Sequence, residues 1–380
     1  MKVVNVSTFL PTQCGLATFS NDLVNSLALS PLVADTQVVA VSPDPKQVFS
    51  PPVMAVIKKQ VKSDYRRVAR LLNRFEPDVV MIQHEYGIFG GPDGSYILDF
   101  VDELRIPYAV TLHTVLPKHS AGQSRVLKKL CAKAKQVLVF TSRAEELMNK
   151  AKLCDAEKMR VVPHGAPPEI TKLSLQPIPK KTNRKKTFLV TSFGLLAPRK
   201  GVDLTIKAIS LLAKQHPEIQ MVVAGDIHPE VRRRQGAKYE EQLESLVKRH
   251  GLQLHVTFQK QFLTIEELAE LLARTELFVS AYEGKDQIVS GALTFALAAG
   301  CACVSTPYRY AQDMLSSGAG TLVPFGKVKP LARAIENYLT NPEKLRAARA
   351  EARRIGKNLS WPAVGLETAQ ILQASARRAA

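Results

Sequence analysis

The sequence predicts an α/β protein built from two Rossmann-like, doubly wound domains. Three observations carry that prediction. The chain has 380 residues, room for about two domains of ordinary size, each with its own core. Short apolar runs rich in β-branched residues alternate with segments of helical periodicity, the pattern of parallel sheets covered by helices. A stretch rich in proline and lysine interrupts this alternation near the middle, and the alternation then restarts.

The elements follow in chain order. Residues 2–8 read as a strand through Val3, Val4 and Val6. A turn over 11–15 follows, and Phe19, Leu23 and Leu27 then fall four apart on one helix face. Further strands are expected at 37–41, 53–57, 78–83, 108–112, 136–140 and 159–162. A helix over 64–75 sets Val68, Leu71, Leu72 and Phe75 opposite Arg66, Arg67, Arg70 and Arg74. Another, over 123–135, sets Val126, Leu127 and Leu130 opposite Arg125, Lys128, Lys129 and Lys133. Ser142-Arg-Ala-Glu145 reads as a capping box.

The first domain is expected over 1–170 and a linker over 171–186, within a stretch holding Pro167, Pro168, Pro177 and Pro179 and then Lys180, Lys181, Arg184, Lys185 and Lys186. The second domain is expected over 187–357. Its strands are 187–193, 220–224, 254–258, 277–281 and 302–305. Its helices are 202–214, 239–250, 292–299, 329–339 and 343–357, with another capped by Thr264-Ile-Glu-Glu267. Residues 358–380 form a terminal helix, with the first domain as its candidate packing partner.

Composition narrows the class. Hydrophobic residues make up 46% and charged residues 23%, which excludes disordered, collagen-like and disulfide-dense chains. No apolar run approaches the roughly 18 residues that span a bilayer. The start, MKVVNVSTFLPTQCG, lacks the long apolar core of a secretory signal. Five scattered cysteines fit reduced thiols, so a cytoplasmic location is expected. Lys and Arg total 52 against 34 Asp and Glu, a formal charge of +18. That charge attracts phosphorylated small molecules, nucleic acid or anionic lipid, or it simply solvates the surface.

Several chemistries lack their signatures. The sequence has no GxxxxGK[ST], HExxH, CxxC or GxSxG, and no GxGxxG after the first strand. No D-x-D is present to clamp a metal–diphosphate. Cys301 and Cys303 occupy alternate strand positions and read as core thiols rather than metal ligands. The positive features sit after strands, where doubly wound sheets bind ligands. Gly15, in Thr12-Gln-Cys-Gly-Leu-Ala-Thr18, either serves a tight turn or lets a ligand approach a helix start. Gln83-His84-Glu85-Tyr86-Gly-Ile-Phe-Gly-Gly91 mixes polar groups with glycines at a strand's carboxyl end, as a binding loop does, and His113 follows another strand. In the second half, Phe193-Gly194-Leu-Leu-Ala-Pro-Arg199-Lys200-Gly201 puts two cations beside a helix start, where an anion is favoured. Tyr282 to Gly291 leads into another helix, with Ser290 as its cap and Gly291 permitting close approach.

These residues together resemble the retaining GT-B glycosyltransferases of family 4. The resemblance rests on the first glycine turn, Leu112-His113, Val162-Pro-His-Gly165, Phe193-Gly-Leu with Arg199-Lys200-Gly201, and Ala296-Leu-Ala-Ala-Gly300 continuing to Pro307. It covers nearly the whole chain and implies two domains facing across a cleft. It implies transfer of a sugar from a nucleotide-diphosphate donor to the hydroxyl of a glycan, a lipid-linked acceptor or a small molecule, with no cofactor and no metal. His113, Arg199, Lys200 and Glu283 are the implied catalytic residues. Gly15, Gly194, Gln287, Ser290 and Gly291 are the implied donor-binding residues. His84, Glu85 and Tyr86 form the implied acceptor-side loop. No nucleic-acid partner is implied, but helix 123–135 is a candidate for reversible contact with an anionic membrane.

The chain departs from the family twice. Leu195 stands where the family places an arginine, with Arg199 as the nearby substitute. The family's paired glutamates fall at Gln287 and Phe295, which marks a divergent branch. A related enzyme of the same architecture, such as an epimerase or phosphorylase, and a non-catalytic sugar-nucleotide binder stay open as alternatives. An assay of donor hydrolysis separates the last from the enzymes.

Overall fold

A computed structural model describes residues 1–175, 187–261 and 263–376. Two compact units emerge. The first holds Met1–Gly165 together with the helix Trp361–Ser375, and the second is Ala166–Ser360.

The first unit contains one parallel sheet of seven strands: β1 (Lys2–Ser7), β2 (Asp35–Ser42), β3 (Val53–Lys58), β4 (Val79–His84), β5 (Tyr108–Leu112), β6 (Gln136–Val139) and β7 (Met159–Val161). Their order is β3-β2-β1-β4-β5-β6-β7. Every residue of β4 and β5 is buried, as expected of central strands covered on both faces. The chain runs outward from β1 to β3 and then returns to the other side of β1. That reversal separates the loops after β1 and β4 and opens a crevice at the carboxyl ends of these strands.

The helix Gly15–Ala28 buries Phe19, Leu23 and Leu27. Cys14 caps it, its sulfur accepting from the Ala17 amide at 3.3 Å. The helix Trp361–Ser375 packs on it, with the Ser26 hydroxyl donating to the Trp361 carbonyl. The arginine face of the helix Lys62–Phe75 is neutralised inside the molecule: Arg66 lies 2.6 Å from Asp99 and Arg70 lies 3.1 Å from Glu103. These acids belong to the helix Ile97–Glu103, which the sequence reading did not resolve.

Two local expectations change. The helix Ala121–Lys133 buries Val126, Leu127, Leu130 and Cys131 within the unit. Its apolar side is therefore core, and only the exposed Arg125, Lys128, Lys129 and Lys133 remain to meet an anionic surface. The box read at Ser142 is also displaced. Thr141 is the cap, accepting from the Ala144 amide at 3.2 Å, and Ser142 is the first helical residue.

The second unit repeats the plan with six parallel strands: β8 (Phe188–Phe193), β9 (Ile219–Ala224), β10 (Val256–Gln259), β11 (Leu277–Ser280), β12 (Ala302–Ser305) and β13 (Gly320–Leu322). The order β10-β9-β8-β11-β12-β13 again reverses beside the first strand. Its core gathers Val190, Ile206, Ile209, Met221, Leu277 and Ile335. Thr264 and Glu267 form a capping box at the start of the helix Ile265–Arg274. Cys301 and Cys303 are buried, with Cys301 Sγ 3.6 Å from the Leu272 carbonyl oxygen. Among the described residues no cluster of acidic, histidine or cysteine side chains could hold a metal. No described helix is long and apolar enough to cross a membrane.

Part of the expected linker is structured. Residues 171–175 lie in the helix Pro168–Leu175, which buries Ile170, Thr171 and Ser174 against the helices Ile265–Arg274 and Gly291–Ala298. The remainder, 176–186, lies outside the described residues. Proline at the first helical position costs no hydrogen bond, so Pro168 starts a helix there instead of breaking one.

The contact between the first and last helices is tight enough to test. A Cβ on Gly365 would come 2.9 Å from the backbone carbon of Ser26. Overpacking of this kind typically costs about 1–3 kcal/mol. Gly365→Ala is expected to lower the melting temperature by several degrees, measured by differential scanning calorimetry.

Candidate functional site

In the first unit, the carboxyl ends of β1, β4 and β5 bring buried polar side chains together. Gln83 follows four apolar residues in β4 and is fully buried. Burying an amide is costly unless it is hydrogen-bonded, and both ends of this one are engaged. Its Nε2 donates to Asn5 Oδ1 at 2.9 Å, and its Oε1 lies 2.9 Å from His113 Nε2. With the amide so oriented, Oε1 accepts from the ring, so His113 carries its proton on Nε2 and presents Nδ1 as an acceptor.

Phe19 and Phe140 meet the His113 ring edge-on at 4.7 and 4.9 Å. The His113 amide donates to the His84 carbonyl at 2.9 Å. Burial, and then the neighbouring His164 and His84, hold its pKa well below the ordinary value. His113 is thus a neutral hydrogen-bonding ring, 9% exposed, suited to a hydroxyl and unsuited to a phosphate.

The expected acceptor-side loop divides. His84 is fully buried, stacks on Phe89, and has no hydrogen-bond partner for either ring nitrogen among the described residues. Burial lowers its pKa to about 4. Glu85 and Tyr86 are each half-buried, and the Tyr86 hydroxyl is itself buried with no hydrogen-bond partner among the described residues. The Glu85 carboxylate accepts from the Thr114 hydroxyl. Burial pushes its pKa up, against Thr114 and the amides of Gly87 and Tyr86. Gly15 opens its helix without a left-handed φ, and a Cβ there would meet open space. The turn itself does not require this glycine, so the tight-turn reading has no support.

In the second unit, three turns converge. Gly194 follows β8 with φ +113°. Pro198–Lys200 forms one tight turn closed by Gly201 at φ +65°. A side chain on Gly201 would run into the Ala281 carbonyl, so the turn lies directly on the end of β11. The Glu283 amide donates to the Arg199 carbonyl at 3.0 Å. Lys200 Nζ lies 2.9 Å from the Tyr282 hydroxyl and 4.1 Å from the centre of that ring. Arg199 is exposed, and neither it nor Lys200 forms an ion pair among the described residues.

Ser290 caps the helix Gly291–Ala298, its Oγ accepting from the Leu293 amide at 3.3 Å. Gly291 is the first residue of that helix, so its amide is among those left unsatisfied at a helix start. Two unpaired cations with a helix N-terminus make an anion site. Gln287 donates to the Val289 carbonyl at 2.9 Å. Glu283 is exposed, and Phe295 offers only hydrocarbon.

Sequence reasoning named Gln83 and Tyr282 only as the first residues of their loops, gave neither a role of its own, and missed Asn5. A signal was present for Gln83, an amide directly after the apolar run of β4. Tyr282 carried none, since an aromatic residue at a strand end is ordinary.

Two histidines whose pKa values are lowered by desolvation make stability depend on pH. His84 and His164 have folded pKa values of about 4, below the ordinary 6.5 or so. The unfolded chain therefore binds more protons between these values. Their contribution is fully present above about pH 6.5 and is lost as pH falls towards 4. Urea unfolding from pH 7 to 4.5 should show a falling midpoint. His84→Phe should flatten that slope.

Two family descriptions match the chain. Glycosyltransferase Family 4 covers residues 35–170, and Glycosyl transferases group 1 covers residues 176–355. No curated protein matches it. Among solved structures, it is similar to HepE of Anabaena, solved with UDP, at 18% identity over 98% of this chain and 100% of that one, with a TM-score of 0.74. A glycosyltransferase from Rickettsia africae matches at 12% identity over 98% and 99%, with a TM-score of 0.74. A UDP-forming α,α-trehalose-phosphate synthase from Burkholderia xenovorans matches at 14% identity over 98% and 99%, with a TM-score of 0.70. These likenesses give both parallel sheets the GT-B fold. The two matched segments adjoin and together span most of the sequence: the chain belongs to the group 1 glycosyltransferases of family 4.

Proposed function

We propose that this chain is a metal-independent, retaining hexosyltransferase that uses a UDP-sugar, with UDP-glucose as the first candidate donor. The observation that carries the donor assignment is the pair Arg199 and Lys200, free of carboxylate partners beside a glycine turn. UDP and UDP-glucose are bound in structures of the similar HepE protein, which supports the choice of base and sugar. The acceptor is a hydroxyl on a glycan, a lipid-linked carrier or a small molecule.

The chemistry follows from charge. As the glycosidic bond breaks, negative charge grows on the leaving diphosphate. Arg199, Lys200 and the amides at Ser290 and Gly291 stabilise it, the part a metal ion plays elsewhere. Neutral His113 accepts a hydrogen bond from a sugar hydroxyl through Nδ1, its orientation fixed by Gln83. Glu283 and Gln287 orient further hydroxyls. The leaving phosphate takes the acceptor proton, so no protein base is assigned. Glu85 and Tyr86 face the acceptor, and Gly15 lets the donor approach the start of the helix Gly15–Ala28.

Four measurements test this reading. A melting-temperature screen of UDP-, GDP- and ADP-sugars should show the largest rise with a UDP-sugar, because a ligand of the folded state alone stabilises it. Turnover should persist in excess EDTA; loss restored by Mg²⁺ or Mn²⁺ rejects the metal-independent class. Lys200→Ala should weaken UDP binding by about 1.5–3 kcal/mol, the range for a hydrogen bond to a charged group. His113→Ala should lower kcat far more than UDP affinity, and equal losses would return this histidine to a structural role.

A further inference from the structure

We propose that Tyr282 is a positioning residue that holds the Lys200 ammonium in place for the donor diphosphate. The inference rests on the reading of Lys200 as a diphosphate ligand and goes beyond it, because Tyr282 is buried, at 4% exposure, and acts through the lysine. A lysine is a point charge on a flexible four-carbon stem, so fixing it costs conformational entropy. A carboxylate would fix it, but would also neutralise it and repel phosphate. A phenol supplies one acceptor oxygen and no negative charge.

The direction of each hydrogen bond is set by chemistry. An ammonium only donates, so the Tyr282 oxygen accepts from Lys200 at 2.9 Å. The phenol proton is then directed to Ser290 Oγ at 3.4 Å, the same oxygen that caps the helix Gly291–Ala298. The cation and the helix start are thereby linked through one side chain. The ring also offers its face to the ammonium, 4.1 Å from its centre.

Tyr282 is itself immobilised. Its ring stacks on Tyr308 at 4.9 Å with 16° between planes. The Tyr308 hydroxyl lies 3.1 Å from Ser280 Oγ, which lies 3.0 Å from Ser305 Oγ. The Tyr282 carbonyl accepts from the Thr306 hydroxyl. The anchor is therefore continuous with the ends of β11 and β12. No other group holds the Lys200 side chain among the described residues.

The test is a double-mutant cycle on the full chain, read by isothermal titration with the tightest binder among UDP, GDP and ADP. Tyr282→Phe keeps both ring contacts and removes only the hydroxyl. It should weaken binding about fivefold with little change in melting temperature, and Lys200→Ala should weaken it more. In the Lys200→Ala background, Tyr282→Phe should cost nothing further, because its effect runs through the lysine. Additive losses would overturn the inference by showing that Tyr282 acts on the nucleotide or the fold directly. Unchanged affinity in Tyr282→Phe, with a loss in Lys200→Ala, would overturn the inference and leave the donor reading standing. Unchanged affinity in Lys200→Ala, or no binding by any of the three nucleotides, would overturn both. Should Tyr282→Phe melt early, Tyr282→Leu supplies the cycle, read below the melting range of every variant, since it is smaller than tyrosine, cannot overpack the site and offers no acceptor oxygen.

Discussion

The second unit's site depends on one backbone constraint, the close approach of the turn at Gly201 to the carbonyl of Ala281. Only glycine fits, because φ is +65° and a Cβ would occupy the carbonyl's place. This approach seats the Pro198–Lys200 turn on the end of β11. The Glu283 amide can then reach the Arg199 carbonyl, and Lys200 can reach Tyr282. Remove the approach and the two cations are surface residues on an ordinary loop. The parallel topology supplies the rest, because β8 and β11 are adjacent where the strand order reverses, and loops at such a reversal leave room for a ligand.

The first unit solves a different problem, the burial of polarity without charge. Asn5, Gln83 and His113 lie on or directly after adjacent strands and form a chain of amide and imidazole groups. Burial keeps the imidazole neutral, and neutrality in turn makes burial tolerable. The two units therefore differ in chemistry. The first unit presents neutral hydrogen-bonding groups, and the second presents positive charge without a carboxylate partner. The formal charge of +18 is therefore informative only in part. Pairs such as Arg66–Asp99 and Arg309–Asp286 are already cancelled within that sum, so many cations lack an acidic partner, and Arg199 and Lys200 stand apart by their place beside a glycine turn and a helix start.

The fold was legible in the sequence because buried parallel strands are continuous apolar runs, and β1, β5 and β12 stand out as such. The short strand Gly320–Leu322 was not legible: three residues beginning with glycine carry no such run. The helix Pro168–Leu175 was hidden by its prolines, which mark a breaker or a helix start equally well. Periodicity showed that the helix Ala121–Lys133 has an apolar side, but every helix of such a sheet has one, so only packing could assign it to the core. At the site, glycines and cations after strands were readable because unusual backbone and charge leave a trace in residue type. Partnerships were not, since nothing in local sequence says that Lys200 will rest on Tyr282, more than eighty positions away.

The departures at Gln287 and Phe295 acquire meaning against this charge pattern. In the loop 282–291, Asp286 is paired with Arg309 at 3.1 Å. Gln287 uses its amide on Val289. Glu283 is then the only carboxylate of that loop without an ion pair among the described residues. Two glutamates at positions 287 and 295 would add negative charge to the loop and the helix that carry Ser290 and Gly291, charge of the sign that disfavours an anion there. Their absence leaves the cations less opposed, while removing two acceptors for sugar and ribose hydroxyls. A tyrosine that holds a lysine without neutralising it belongs to the same arrangement.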